Sequence, residues 1–131
     1  MKIQHPFRVD IECDVSFFVP CYNEEKNIVA TLKNIIEATN ETGVSYEILV
    51  VDDKSQDDTV CVVEKFIREW PDIPITLVKN KKNMGLGRNY VGGAYISKGK
   101  YYMLINGDAA EPIESIVAIL KQLHSADMIV P

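Results

Sequence analysis

Ile48-Leu49-Val50-Val51-Asp52-Asp53-Lys54-Ser55, residues 48–55, decides the fold. Four apolar residues, three of them β-branched, run without polar alternation and then stop at two adjacent carboxylates. Such a run suits a strand buried on both faces of a parallel sheet. The same pattern occurs twice more. Val15 to Val19 runs into Pro20-Cys21-Tyr22-Asn23-Glu24, and Tyr101 to Ile105 runs into Asn106-Gly107-Asp108. Helical periodicity separates the runs, so the chain reads as successive β-α-β units. The expected fold is a three-layer α/β/α domain around a mainly parallel, doubly wound sheet. Ligands bind at the carboxyl ends of the strands in such sheets, so the three polar clusters should meet at one rim.

The length of 131 residues suits a single domain with a real core, and 47% hydrophobic and 25% charged residues are ordinary for a globular protein. A net charge of −5 argues against general nucleic-acid binding. The apolar runs are too short to span a membrane, and Met1 to Asp14 contains no signal-peptide core. Three cysteines, Cys13, Cys21 and Cys61, show no paired spacing, which suits a reducing cytosol. Cys21 lies in a polar cluster, but no histidine lies near a comparable one. It is read as a small semi-buried thiol rather than a nucleophile.

The first helix is expected over 24–39, capped by Asn23, with Ile28, Leu32, Ile35 and Ile36 on one face. The second should open at Asp57 or Asp58, bury Val60, Val63, Ile67 and Trp70, and stop at Pro71. A strand at 75–78 precedes a basic loop, Lys79 to Asn83, then Gly85-Leu86-Gly87 and a helix over 88–97. A final helix over 113–124 leads to a strand beginning at Met128. A domain closed by so short a strand would be unusual. Residues 1–131 are therefore expected to form the first part of a single domain that continues beyond Pro131.

Each cluster carries distinct chemistry. Tyr22 can stack on a flat base. Glu24 suits a helix start equally well. One of Asp52 and Asp53 is enough for an Asx turn, which leaves Asp53 to accept a hydrogen bond from a ring N–H or a ribose hydroxyl. Asn106 and Asp108 offer oxygen ligands around a glycine, suited to Mg2+ or Mn2+ bridging to a diphosphate. Arg88 opens a helix, where the dipole disfavours a cation, and follows Lys79, Lys81 and Lys82. That placement suits attraction of an anion.

Together, Val19-Pro20-Cys21-Tyr22-Asn23-Glu24-Glu25, Val51-Asp52-Asp53-Lys54-Ser55 with Asp57 and Thr59, Asn83 to Asn89, and Asn106-Gly107-Asp108 resemble the donor half of a family-two glycosyltransferase of the GT-A fold. The resemblance implies an inverting transfer of sugar from a UDP- or GDP-linked donor. It assigns Pro20, Tyr22, Glu24, Asp53 and Arg88 to the nucleotide, and Asp108 with Asn106 to a divalent metal, Mg2+ or Mn2+. The Tyr22-Asn23-Glu24-Glu25 start is similar to enzymes that use polyprenyl phosphates as acceptors. It also implies a cytoplasmic location, at the inner face of a membrane, and a catalytic base beyond Pro131. Asn106 departs from the family's usual acid and brings no charge. Two rivals are a non-catalytic module of the same fold and a response-regulator receiver. The receiver needs its acidic pair near the start, whereas 51 residues precede Asp52 here.

Overall fold

The computed structural model describes residues 2–4 and 11–123. Its elements, in chain order, are β1 (Lys2–Gln4), β2 (Cys13–Cys21), α1 (Ile28–Thr42), β3 (Tyr46–Asp52), α2 (Thr59–Glu69), β4 (Ile75–Lys79), α3 (Leu86–Ile96), β5 (Gly99–Leu104) and α4 (Ile113–Leu120). The five strands form one sheet in the order β1-β5-β2-β3-β4, in which β5, β2, β3 and β4 are mutually parallel and β1 is antiparallel. The chain winds outward from β2 through β3 to β4, then crosses back to place β5 on the other side of β2. The switch in direction therefore lies between β2 and β5, where an open α/β sheet forms its ligand crevice.

The apolar runs are strands for the reason their sequence gives. Val15, Phe17 and Val19 of β2 face one side, joined there by Ile48 and Val50 of β3 and Met103 of β5. The helices α1, α2 and α4 cover that side with Leu32, Ile35, Val63, Phe66, Ile116 and Leu120. The opposite side is thinner. There Phe18, Val51 and Tyr102 pack under α3 through Tyr90 and Ala94. Gly93 lets this helix approach, because a Cβ on it would stand 2.4 Å from the Tyr102 hydroxyl.

Several boundaries differ from expectation. Helix α1 begins at Ile28, not Glu24, and Asn23 does not cap it. Asn23 adopts φ 56° and accepts the Gln56 N–H at 2.8 Å, tying its turn to the next loop instead. Helix α2 buries Thr59, Val63 and Phe66 and packs Ile67 half-buried against the same core. Of the expected stripe, Val63 and Ile67 therefore face inward, while Val60 and Trp70 do not join that core. Trp70 ends the helix exposed, stacked on Phe66 with ring centroids 5.5 Å apart. Helix α3 starts two residues early, at Leu86, and α4 ends at Leu120. The strand expected at Met128 lies outside the described residues. The edge strand β1 has no periodicity that would have marked it, because three residues are too few to show one.

Candidate functional site

The rim formed by the ends of β2, β3 and β5 encloses a cavity of about 320 Å³, within the range of small-molecule sites. Pro20, Tyr22, Glu24, Asp53, Asn106 and Asp108 all line it. Loops separated by more than eighty residues of sequence thus converge, as the strand pattern required.

The first two loops are laced together. The Asn23 N–H donates to Ser55 Oγ at 2.9 Å, the Glu24 N–H to Thr59 Oγ1 at 2.9 Å, and the Glu25 N–H to Asp57 Oδ2 at 3.3 Å. Thr59 also donates to Asp57 Oδ1 from its backbone N–H, at 2.9 Å, and from its hydroxyl. These bonds hold Tyr22 at the cavity, the residue 45% exposed and available to a flat ligand. Burial pushes the Asp57 carboxyl up, but the bonds from Thr59 and Glu25 outweigh it and leave the pKa lowered.

The adjacent acids have separate tasks. Asp52 is buried and caps its own turn, accepting from the Ser55 N–H at 2.9 Å and the Ser55 hydroxyl at 2.5 Å. Asp53 turns to the cavity and holds the loop before α3. Its Oδ1 accepts from the Met84 N–H at 2.7 Å and Asn80 Nδ2 at 3.0 Å, and its Oδ2 from the Gly85 N–H at 3.0 Å. Asn80 Nδ2 also donates to Asn89 Oδ1 at 2.8 Å. Burial raises the Asp53 pKa, but the bonds from Met84, Asn80, Gly85 and Asn89 prevail and lower it. Asp53 therefore carries a fixed charge at neutral pH, already ringed by donors.

The third loop is pinned from both sides. The Gly107 N–H donates to the Pro20 carbonyl at 3.2 Å, and the Ala109 N–H to Thr31 Oγ1 at 2.9 Å, with Ala109 at φ 60°. A side chain on Gly107 would meet the Pro20 carbonyl at 3.1 Å and Cys21 Cβ at 3.2 Å. Asn106 and Asp108 stay exposed at the cavity. Asp108 Oδ1 accepts the Ala110 N–H at 3.1 Å.

Arg88 is exposed on α3, outside the residues lining the cavity. Asn83, Leu86 and Asn89 line it instead, and were not singled out from the sequence as site residues. One signal was legible: Asn89 is an amide in a helix otherwise made mostly of glycine and apolar residues. Cys21 is buried, and burial followed by the Asp52 carboxylate pushes its thiol well above the usual range. That is an inert thiol, as its sequence context suggested.

The family model for glycosyl transferase family 2 matches residues 16–131. The chain belongs to glycosyltransferase family 2. It is 31% identical over 118 residues to a dolichyl-phosphate beta-glucosyltransferase of Dictyostelium discoideum, covering 86% of this chain and 36% of that protein. A Pyrobaculum calidifontis mannosyltransferase, solved with GDP-Man and Mn2+, superposes with a TM-score of 0.66 at 27% identity, covering 79% of this chain and 31% of the other. S. aureus TarS, solved with UDP-GlcNAc, gives a TM-score of 0.57 at 27% identity, covering 72% and 26%. The chain thus spans about a third of the length of these relatives. Family membership sets aside the receiver reading.

For a family 2 glycosyltransferase, the donor atoms at the third loop fit a divalent cation in kind. Asn106 and Asp108 offer oxygens, which suit Mg2+ or Mn2+. They are few: no group of three or more His, Cys, Asp and Glu gathers among the described residues. The remaining positions would fall to a ligand's phosphate oxygens and water.

Proposed function

We propose that this chain is the donor-binding part of an inverting glycosyltransferase that uses a UDP- or GDP-linked sugar. The observation that carries this reading is the convergence of Tyr22, Asp53 and Asp108 on one cavity. Tyr22 is the surface on which the base stacks, worth about 1–3 kcal/mol per base by analogy with other stacked bases. Asp53 keeps lone-pair capacity beyond its loop bonds and accepts a ring N–H, which both uracil and guanine offer. Pro20 and Glu24 complete the wall beneath the nucleoside. Asp108 and Asn106 are the residues that would hold Mg2+ or Mn2+, which would supply positive charge to the donor's diphosphate. Arg88, exposed and outside the cavity, supplies only longer-range attraction to that anion.

In the transfer, an acceptor oxygen attacks the anomeric carbon as the bond to the diphosphate oxygen breaks, so the configuration inverts. The similarity to a dolichyl-phosphate beta-glucosyltransferase favours a polyprenyl phosphate as that acceptor. Such an acceptor would place the work at a membrane. No helix among the described residues is long and apolar enough to cross one. These residues span about a third of the length of the matched relatives, so on this reading they bind donor but turn over poorly by themselves.

Calorimetric titration of UDP and GDP, with and without Mn2+, tests the reading. Binding of one nucleotide that strengthens with Mn2+ and falls at least about tenfold in Asp53→Ala supports it. Absence of heat with either nucleotide would leave a non-catalytic scaffold, a reading that the uncharged Asn106 favours.

A further inference from the structure

Four of the seven large apolar side chains exposed among the described residues lie on α3 alone: Leu86, Val91, Tyr95 and Ile96. Tyr95 is 82% exposed. Arg88, Val91, Gly92 and Tyr95 follow the spacing i, i+3, i+4 and i+7, which makes one stripe on the helix's outer side. The opposite side of the helix packs on the sheet through Tyr90 and Ala94, so the stripe has no partner within the described fold. The two adjacent glycines differ in the same sense. Gly93 is required by Tyr102, whereas a Cβ on Gly92 would meet nothing within 4 Å.

Charge says what could cover this stripe. The segment from Lys79 to Lys100 holds six of the chain's 14 cations and none of its 19 carboxylates, in a protein of net charge −5. Lys79 pairs with Glu64 at 3.4 Å and Lys98 with Glu12 at 3.6 Å. Lys81, Lys82 and Arg88 are exposed and form no ion pair among the described residues. Cations thus stand before, on and after an exposed apolar ridge.

We propose that the outer stripe of α3 docks on an anionic lipid surface, with Val91 and Tyr95 entering the interfacial zone and the flanking cations facing headgroup phosphates. A convex ridge of aliphatic and aromatic residues bordered by lysine and arginine matches the interfacial zone of a bilayer. A second copy of the chain fits poorly, because self-pairing would oppose two cation clusters with no carboxylate between them. The acidic remainder of the protein is repelled from the same surface, which fixes the orientation. Leu86 and Asn89 carry this helix to the cavity, so docking holds the donor site beside the lipid. That last consequence rests on the lipid-phosphate acceptor reading; the docking itself does not.

Flotation of the 131-residue chain with vesicles tests this, without nucleotide or metal. The chain should float with phosphatidylcholine vesicles that contain phosphatidylglycerol, not with phosphatidylcholine alone, and the effect should fade as salt screens it. Val91→Ser with Tyr95→Ser should lower partitioning at least about tenfold, and Lys81→Gln with Lys82→Gln several-fold. Failure to float, or flotation unchanged in both variants, overturns the proposal. So does concentration-dependent self-association that the Val91→Ser/Tyr95→Ser variant abolishes, which would assign the stripe to a second copy. UDP and GDP titrations of the same variants keep the two readings apart. Lost flotation with intact nucleotide binding removes only the docking, and intact flotation without nucleotide binding removes only the donor site.

Discussion

The two faces of the sheet differ in how firmly they are built. On one, α1, α2 and α4 bury Phe17, Val19, Leu32, Ile35, Val63 and Ile116 in a continuous core. On the other, α3 alone covers Phe18, Val51 and Tyr102, and its outer side stays bare. The thick face is also where the loops are anchored. Ile28 of α1 packs under Gly107, and Thr31 holds the Ala109 N–H. The thin face meets the site through Leu86 and Asn89 of α3, and the bonds of Asp53 fix the entry to that helix. Rigid support on one side and a lightly held helix on the other is the arrangement expected when a site must be preorganised yet reach a second surface.

Substitutions should expose this asymmetry. Phe17→Ala, in the thick core, should cost about 3–5 kcal/mol, read from denaturant midpoints. On the thin face Gly93→Ala should cost about 1–3 kcal/mol, because the new methyl must displace the Tyr102 hydroxyl or the helix. A loss for Gly93→Ala equal to that for Phe17→Ala would show the two faces to be equally tight. Asp53→Asn should cost about 1–3 kcal/mol, since an amide cannot accept at both oxygens from Met84, Gly85 and Asn80.

Asp53 also gives a pH dependence whose sign is fixed. Its folded pKa is lowered, so its contribution to stability is complete above the unfolded value of about 3.9 and is lost as pH falls through the folded value. Asp57 behaves in the same way. Wild-type melting temperature should therefore drop below about pH 4, and Asp53→Asn should flatten part of that drop. An acid limb unchanged in the variant would mean that Asp53 is not held as described. The smallest effect is expected at Tyr90, whose buried hydroxyl has no partner among the described residues. Tyr90→Phe should be neutral or stabilising by up to about 1 kcal/mol.

Much of this is legible in the sequence. The unbroken apolar runs ending at Asp52, Pro20 and Asn106 gave parallel strands, and strand ends gave the rim. That a turn needs only one of the two adjacent acids was also legible, and Asp52 is that acid; the bonds by which Asp53 holds Asn80, Met84 and Gly85 were not. What was not legible depended on contacts distant in sequence. Asn23 looks like a helix cap until Gln56 is known to lie beside it. Phe66 joins Val63 and the half-buried Ile67 against the core because the helix starts at Thr59 and is rotated to bury that residue. Arg88 and Asn89 are neighbours in sequence, yet a helix separates them by about 100°, so only one can line the cavity. The bare stripe of α3 could not be found without knowing which side of the helix packs.

The central claim is that three distant loops form one nucleotide site. Amide chemical-shift mapping on the 15N-labelled chain, titrated with UDP and GDP in the presence of Mg2+, tests it most directly. The account predicts perturbations clustered at Tyr22, Asp53, Met84, Asn89 and the Asn106–Asp108 turn, with the α1–α4 face silent. Perturbations confined to one of these loops, or centred on the α1–α4 face, would contradict it.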